Sequence, residues 1–250
     1  MPEMRPPSAA ELLNAWERGL ALSPAHRAML LLIAACPDTG VPVLKQLTIG
    51  QRNARLLALR EWLFGVQVAG VAACPQCGER LELAFDTRDL QAGPLVTDGD
   101  EGTPLRVAAE GVEVSFRVPK CEDVLAIAAA PDAGIARREL LKRCVLSAER
   151  EGQPQSADDL PQSVVSLVAE GMAQADPQAT VQLSLTCPAC SQSSSAAFDI
   201  ASFLWTEVEA WARRTLRDVH VLATAYGWRE ADLLALSPTR RRLYLDMIGG

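Results

Sequence analysis

Histidine is nearly absent from this 250-residue chain: His26 and His220 are its only two. Neither lies in a recognisable catalytic motif. GxSxG, a Walker loop, a GxGxxG after a strand, HExxH and DxDxDG are all missing as well, so no reactive constellation announces an enzyme. An excess of positive charge is also lacking. Lys and Arg number 24 against 31 Asp and Glu, a formal charge of −7, the opposite of what a surface tracking a phosphate backbone needs. No apolar run reaches the ~18–20 residues that cross a bilayer, since the longest, Ala28 to Cys36, is stopped by Pro37. No membrane span is expected. The start of the chain, Met1-Pro2-Glu3-Met4-Arg5-Pro6-Pro7, lacks the basic stretch and apolar core of a secretory signal, which predicts a cytoplasmic address.

The cysteines carry the clearest signal. There are seven, and in a reducing compartment closely spaced cysteines bind metal more often than they form disulfides. Cys74-Pro75-Gln76-Cys77 and Cys187-Pro188-Ala189-Cys190 each set two thiols across a tight turn, a spacing that lets both sulfurs reach one ion. The similarity extends further: CPQCGERLELAFD at 74–86 and CPACSQSSSAAFD at 187–199 share Cys, Pro, Cys and a terminal Ala-Phe-Asp in register. This is an internal repeat in which each copy reads as a β-hairpin knuckle, and two knuckles facing one another make a zinc ribbon. Zn2+ held by Cys74, Cys77, Cys187 and Cys190 is the expected cofactor. Four cysteines fill its coordination and leave no position for an activated water, so its expected role is structural. Other readings stay open. A redox pair would need its first cysteine at a helix N-terminus, which the strand-like flanks of Cys74 do not supply. A disulfide inside either CxxC is sterically poor. The third alternative is the repeat without metal, or a site completed by a second chain. Cys36, Cys121 and Cys144 sit on apolar helical faces and read as core thiols.

Around this repeat the chain alternates helix and strand signals. Capping boxes at Ser8-x-x-Glu11 and Thr48-x-x-Gln51 predict helices to about Leu20 and over about 50–64, and Ser23-Pro24 opens another over 24–35. Alternation then takes over, with Val66, Val68 and Gly70 before Cys74 and Leu81, Leu83 and Phe85 after Cys77. Residues 91–104 read as a loop. Leu105–Ala109 and Val112–Val118 form a second hairpin through Glu110-Gly111. Helices follow at about 121–130, 134–147 and 161–174, with 149–160 as an exposed connection. A strand returns at Val181–Leu185. One long helix over 201–226 and two short ones at about 229–236 and 238–248 end the chain. The predicted class is α+β: an N-terminal helical region (1–65), a zinc-ribbon core (66–200) whose 91–179 is an inserted excursion of hairpin and helices, and a C-terminal helical region (201–250). One compact unit is expected rather than two domains.

The last region combines Trp205, Trp211, Tyr226, Trp228 and Tyr244 with seven arginines against six acids, whereas the rest of the chain carries −8. Aromatics and arginines are the side chains enriched where proteins dock. Trp228, Arg240, Arg241, Arg242 and Tyr244 are therefore the candidate partner-binding residues.

Several strings, taken in order, carry a resemblance. They are LTIGQRNARLLALR at 47–60, Phe64-Gly65, the CPxCG knuckle with its Leu-Glu-Leu strand, Arg143-Cys144-Val145, the second knuckle running into Phe203-Leu204-Trp205, and AYGWREADLLALSP at 225–238 with Arg241-Arg242-x-Tyr244. The combination resembles the zinc-knuckle proteins encoded with contractile phage tails and phage-tail-like injection systems, described as baseplate or baseplate hub assembly proteins. The helical tail is similar to the ends of small tail-assembly chaperones. Ser191 departs from the pattern, standing where glycine often follows the second knuckle. The resemblance implies a non-enzymatic assembly factor or minor baseplate component whose partners are baseplate or tube-end subunits. The competing class is a zinc-ribbon nucleic-acid-binding regulator, and Glu79, Glu82, Asp86, Asp89 and Asp199 against Arg80 and Arg88 count against it.

Overall fold

The computed structural model describes residues 3–90 and 104–249. The predicted loop at 91–104 lies outside the described residues except for Pro104. The class is α+β, and the residues pack as two compact units rather than one. Unit 1 holds residues 40–200, and unit 2 joins residues 2–39 to 201–250.

Unit 2 begins with α1 (Ala9–Gly19), where Ser8 and Glu11 close the expected capping box, and α2 (Pro24–Ala35). α1 packs on α2 and also meets a later helix of this unit, with Leu12, Leu13 and Trp16 on its buried side.

Unit 1 opens with the short α3 (Val41–Lys45), which no capping signal foreshadowed, and α4 (Ile49–Phe64). The start of α4 gathers the unit around it. Ile49 N–H donates to the Pro119 carbonyl and Cys121 N–H to that of Leu47. The Asn53 amide donates to the Gln178 carbonyl, and Gln178 in turn donates to that of Leu90. The buried Asp176 carboxylate accepts the Gly50 amide at 2.8 Å across 126 residues of sequence. A helix N-terminus leaves its first amides without intrahelical partners, and here a carboxylate from far along the chain takes one of them.

Two hairpins carry the cysteine repeat: β1 (Gln67–Ala73) with β2 (Arg80–Asp86), and β7 (Val181–Thr186) with β8 (Ser193–Phe198). Between them runs the excursion. β3 (Leu105–Ala109) and β4 (Val112–Phe116) join through Glu110 and Gly111, both in the left-handed region, as a two-residue hairpin turn requires. α5 (Cys121–Ile127) and α6 (Ala133–Cys144) follow. The predicted helix over 134–147 stops at Cys144, and Val145–Arg150 is instead β5, paired antiparallel with β4. Segment 149–160 is likewise not a plain connection, because Gln153–Pro154 forms β6 and completes the sheet order β3-β4-β5-β6. Val145 to Arg150 has enough helix-favouring residues to extend α6 locally. Cross-strand pairing overrides them, seating Ala148 opposite Val114 in the core. α7 (Gln162–Ala175) covers this sheet, with Val164 and Val168 packed on Val112, Val114 and Phe116.

Unit 2 resumes with α8 (Ile200–Tyr226), α9 (Glu230–Ala235) and α10 (Pro238–Gly249). Trp205 is buried under Arg27, whose guanidinium lies 4.8 Å from the ring centroid.

Gly50 and Gly171 are glycines of close approach. A Cβ on Gly50 would fall on the Asp176 carboxylate, and one on Gly171 would come within 2.8 Å of the Phe116 ring. Gly50→Ala is expected to break the Asp176 lock and cost about 1–3 kcal/mol in chemical denaturation. A variant as stable as the wild type would show that α4 tolerates the side chain and that the lock is slack.

Candidate metal centre

Each hairpin turn is built the same way. Cys74 N–H donates to the Glu79 carbonyl and Gly78 N–H to that of Cys74, and Cys187 N–H donates to the Gln192 carbonyl and Ser191 N–H to that of Cys187, all at 2.8–2.9 Å. The turn needs a left-handed residue after its second cysteine. Gly78 supplies it at φ 76°, and Ser191 adopts it at φ 58° despite its Cβ. The departure from glycine therefore leaves the turn's backbone bonds intact.

The inner faces of the hairpins oppose each other. Leu81, Leu83 and Leu185 surround Cys74 and Cys187, and Phe85 meets Phe198 edge-on at 5.7 Å, the two rings occupying equivalent places in the repeat. Packing of these faces brings the turns together. Sγ of Cys74 lies 3.7 Å from that of Cys190, and Sγ of Cys77 lies 3.6 Å from that of Cys187. All four sulfurs are within 4.8 Å of one another, so a single chain supplies the complete set, which can hold a metal ion. Cys74 and Cys187 are buried, and Cys77 and Cys190 reach the surface.

The electrostatics of the set favour a cation. The amides of Cys77 and Gln76 point at the Cys74 sulfur and pull its thiol down to about 7. For Cys77 the Glu79 amide favours the thiolate, yet the crowding sulfurs of Cys190, Cys187 and Cys74 outweigh it and push the thiol up to about 12. Thiols this close cannot all ionise together unless a positive charge sits among them.

Cys36, Cys121 and Cys144 are buried and are not members of this set, and burial pushes the Cys121 and Cys144 thiols up to about 11. His26 and His220 are exposed on helices, His26 Nδ1 lying 2.8 Å from Ser23 Oγ.

The residues singled out at the C-terminal end lie in unit 2. Tyr226, Trp228 and Tyr244 form one aromatic cluster, with Trp228 stacked on Tyr226 at 4.8 Å and edge-on to Tyr244 at 4.9 Å. The arginine triplet divides. Arg241 is buried, with its guanidinium directed at the Leu236 carbonyl, while Arg240 and Arg242 are exposed. Exposed Leu243 and Met247 beside them carried no sequence signal, because the apolar pattern of α10 does not say which side is covered.

Compared with known families, residues 20–205 match the family model described as T4 bacteriophage base plate protein. No curated protein and no solved structure matches the chain.

Thiol accessibility tests the arrangement. In reduced, chelator-treated protein at neutral pH, alkylation followed by mass spectrometry should begin within the Cys74, Cys77, Cys187 and Cys190 set. Cys36, Cys121 and Cys144 should stay unmodified until the protein unfolds. Early labelling of those three would mean that the core described above does not enclose them.

Proposed function

The chain belongs to the T4 bacteriophage base plate protein family, and on that premise we propose that it is a non-enzymatic assembly factor or minor structural component of a contractile tail baseplate, held in shape by one structural zinc ion. The observation that carries the metal assignment is the sulfur geometry. A zinc ion with four Zn–S bonds of ~2.3 Å sets its sulfurs about 3.8 Å apart, against 3.7 Å for Cys74–Cys190 and 3.6 Å for Cys77–Cys187 across the hairpins. Four thiolates and no oxygen or nitrogen donor favour zinc over magnesium or calcium. With every coordination position taken by cysteine, the ion joins β1–β2 to β7–β8 and activates no water.

A role in protein association, rather than in nucleic-acid binding, agrees with the charge around the site. Arg88 is paired with Asp86 at 2.9 Å, and Glu79, Glu82 and Asp89 lie nearby in sequence with Arg80 as the other cation. Docking is assigned to the helical end, through the exposed Arg240 and Arg242 and the rims of Trp228 and Tyr244. Arg241 serves instead to hold α10 in place. Arginine suits a docking surface because its planar fork pairs with carboxylates while its stem covers apolar surface.

Three measurements test this reading. Elemental analysis of reduced, purified protein is expected to give one zinc per chain, and Cys187→Ser should lose it. Metal content near zero in the wild type would overturn the assignment. Removing the ion should lower the melting temperature without unfolding the chain outright, because the Asp176 lock closes the same excursion. Structural zinc sites contribute up to ~10–16 kcal/mol in small modules, and a fraction of that is expected here. For the docking role, Arg240→Glu with Arg242→Glu should give folded, zinc-loaded protein that no longer co-purifies with tail particles from producing cells. Undiminished co-purification would remove the helical end from the interface.

A further inference from the structure

Two surfaces of this chain have complementary chemistry. The first is the outer flank of α10. Leu243 is 55% exposed and Met247 68%, and spacings of three and seven residues set both on one flank with Arg240. That flank adjoins Tyr244, which contacts Tyr226 and Trp228, each 37% exposed. The guanidinium groups of Arg240 and Arg242 have no hydrogen bond or ion pair among the described residues, nor do those of Arg214 and Arg217 on α8. On α10 the apolar strip is flanked by the unpaired Arg240 and Arg242, with Asp246 as the one exposed acid on that side, and such an edge suits a partner that offers carboxylates.

The second surface is the outer face of the four-stranded sheet in unit 1. Glu113 on β4 stands directly opposite Glu149 on β5, both exposed, and neither has an ion pair among the described residues. Like charges opposed across a ladder destabilise it. Glu110 and Glu151 lead the turns at the same end of the sheet, since Val112 pairs with Arg150 there. Exposed Ala108 pairs with Glu113 on this face, and Arg106, paired with Ser115, is its one exposed cation on β3. Charge divides between the units in the same sense. Unit 2 has ten basic and ten acidic residues, and unit 1 has fourteen basic against twenty-one acidic, so the chain's whole −7 belongs to unit 1.

We propose that the partner at the helical end is a second copy of this chain, with the Arg240, Arg242, Leu243 and Met247 surface of one copy seated on the Glu113 and Glu149 face of the next. The inference rests on reading the helical end as a docking surface and goes further by naming what occupies it. Because the two contacting surfaces differ, the association is head to tail, and each copy added leaves one surface of each kind free. Repetition builds a ring if the rotation closes and a filament if it does not.

Sedimentation velocity on the full-length, zinc-loaded protein tests this. The wild type is expected to grow beyond the monomer mass with rising concentration at low ionic strength and to fall back in high salt. Arg240→Glu with Arg242→Glu, and separately Glu113→Lys with Glu149→Lys, should each weaken association about tenfold or more while keeping the wild-type circular dichroism and zinc content. Mixing the two double variants should restore association, because the reversed charges again face each other. A wild type that stays monomeric at every concentration, self-association indifferent to both double variants, or folded double variants that fail to complement on mixing would each overturn the proposal. Particle co-purification separates it from the broader reading. A monomeric protein that still enters particles loses only the second copy as partner, and a self-associating one that never enters them loses the baseplate role.

Discussion

Long-range closure is the constraint on which unit 1 depends. The two CxxC turns are separated by 109 residues, and bringing such distant points together costs conformational entropy that grows only logarithmically with the length between them. Two chemically independent features bring the ends together. One is the convergence of four sulfurs within 4.8 Å. The other is the Asp176 carboxylate on the Gly50 amide, flanked by Asn53 bonding to the carbonyls of Gln178 and Ala179. Both act at the return of the excursion, since Asp176 to Ala179 lie immediately before β7. The polar lock positions the incoming strand, and an ion bound by the sulfurs would hold its turn against the first hairpin.

Within unit 1 the excursion builds an apolar cluster of its own. Its sheet buries Val112, Val114, Phe116 and Ala148 under Val164 and Val168 of α7, a core that shares no side chain with the hairpin cluster around Cys74, Leu81 and Cys187. The excursion is held at its return by these two contacts and along its middle by the bonds of Ile49 and Leu47 to Pro119 and Cys121. The ion proposed for the site would therefore act on geometry between elements already formed, in contrast to small zinc modules that have no core without it.

Unit 2 solves a different problem. Its first two helices and its last three come from opposite ends of the chain, and they are joined by apolar burial with a few polar accents. Trp205 fills the space that the missing side chain of Gly19 leaves, and Arg27 covers the ring while bonding to the carbonyls of Gly19 and Leu20. At the far end, the Tyr226, Trp228 and Tyr244 cluster fastens α10 to the end of α8. The aromatic residues thus do two things at once, packing through their inner faces and keeping part of each ring exposed beside Arg240 and Arg242.

Local patterns were enough to announce most elements. The capping boxes at Ser8 and Thr48, the Glu110-Gly111 turn and the duplicated CxxC hairpins depend on bonds within a few residues, so the residues that make them are neighbours in sequence. The four sulfurs were legible for a related reason: a duplicated pair at ligand spacing is specific even when its halves are far apart. Tertiary contact decided the rest. β5 is a strand because β4 offers it a ladder and a core position for Ala148, overriding a local helical tendency. Asp176 is a lock because the fold delivers the α4 N-terminus to it, and among three consecutive arginines only Arg241 is buried because of where α10 lands. Periodicity encodes that a helix has an apolar side, but which side meets a neighbour and which is left to solvent is settled only when distant elements compete for the same surface.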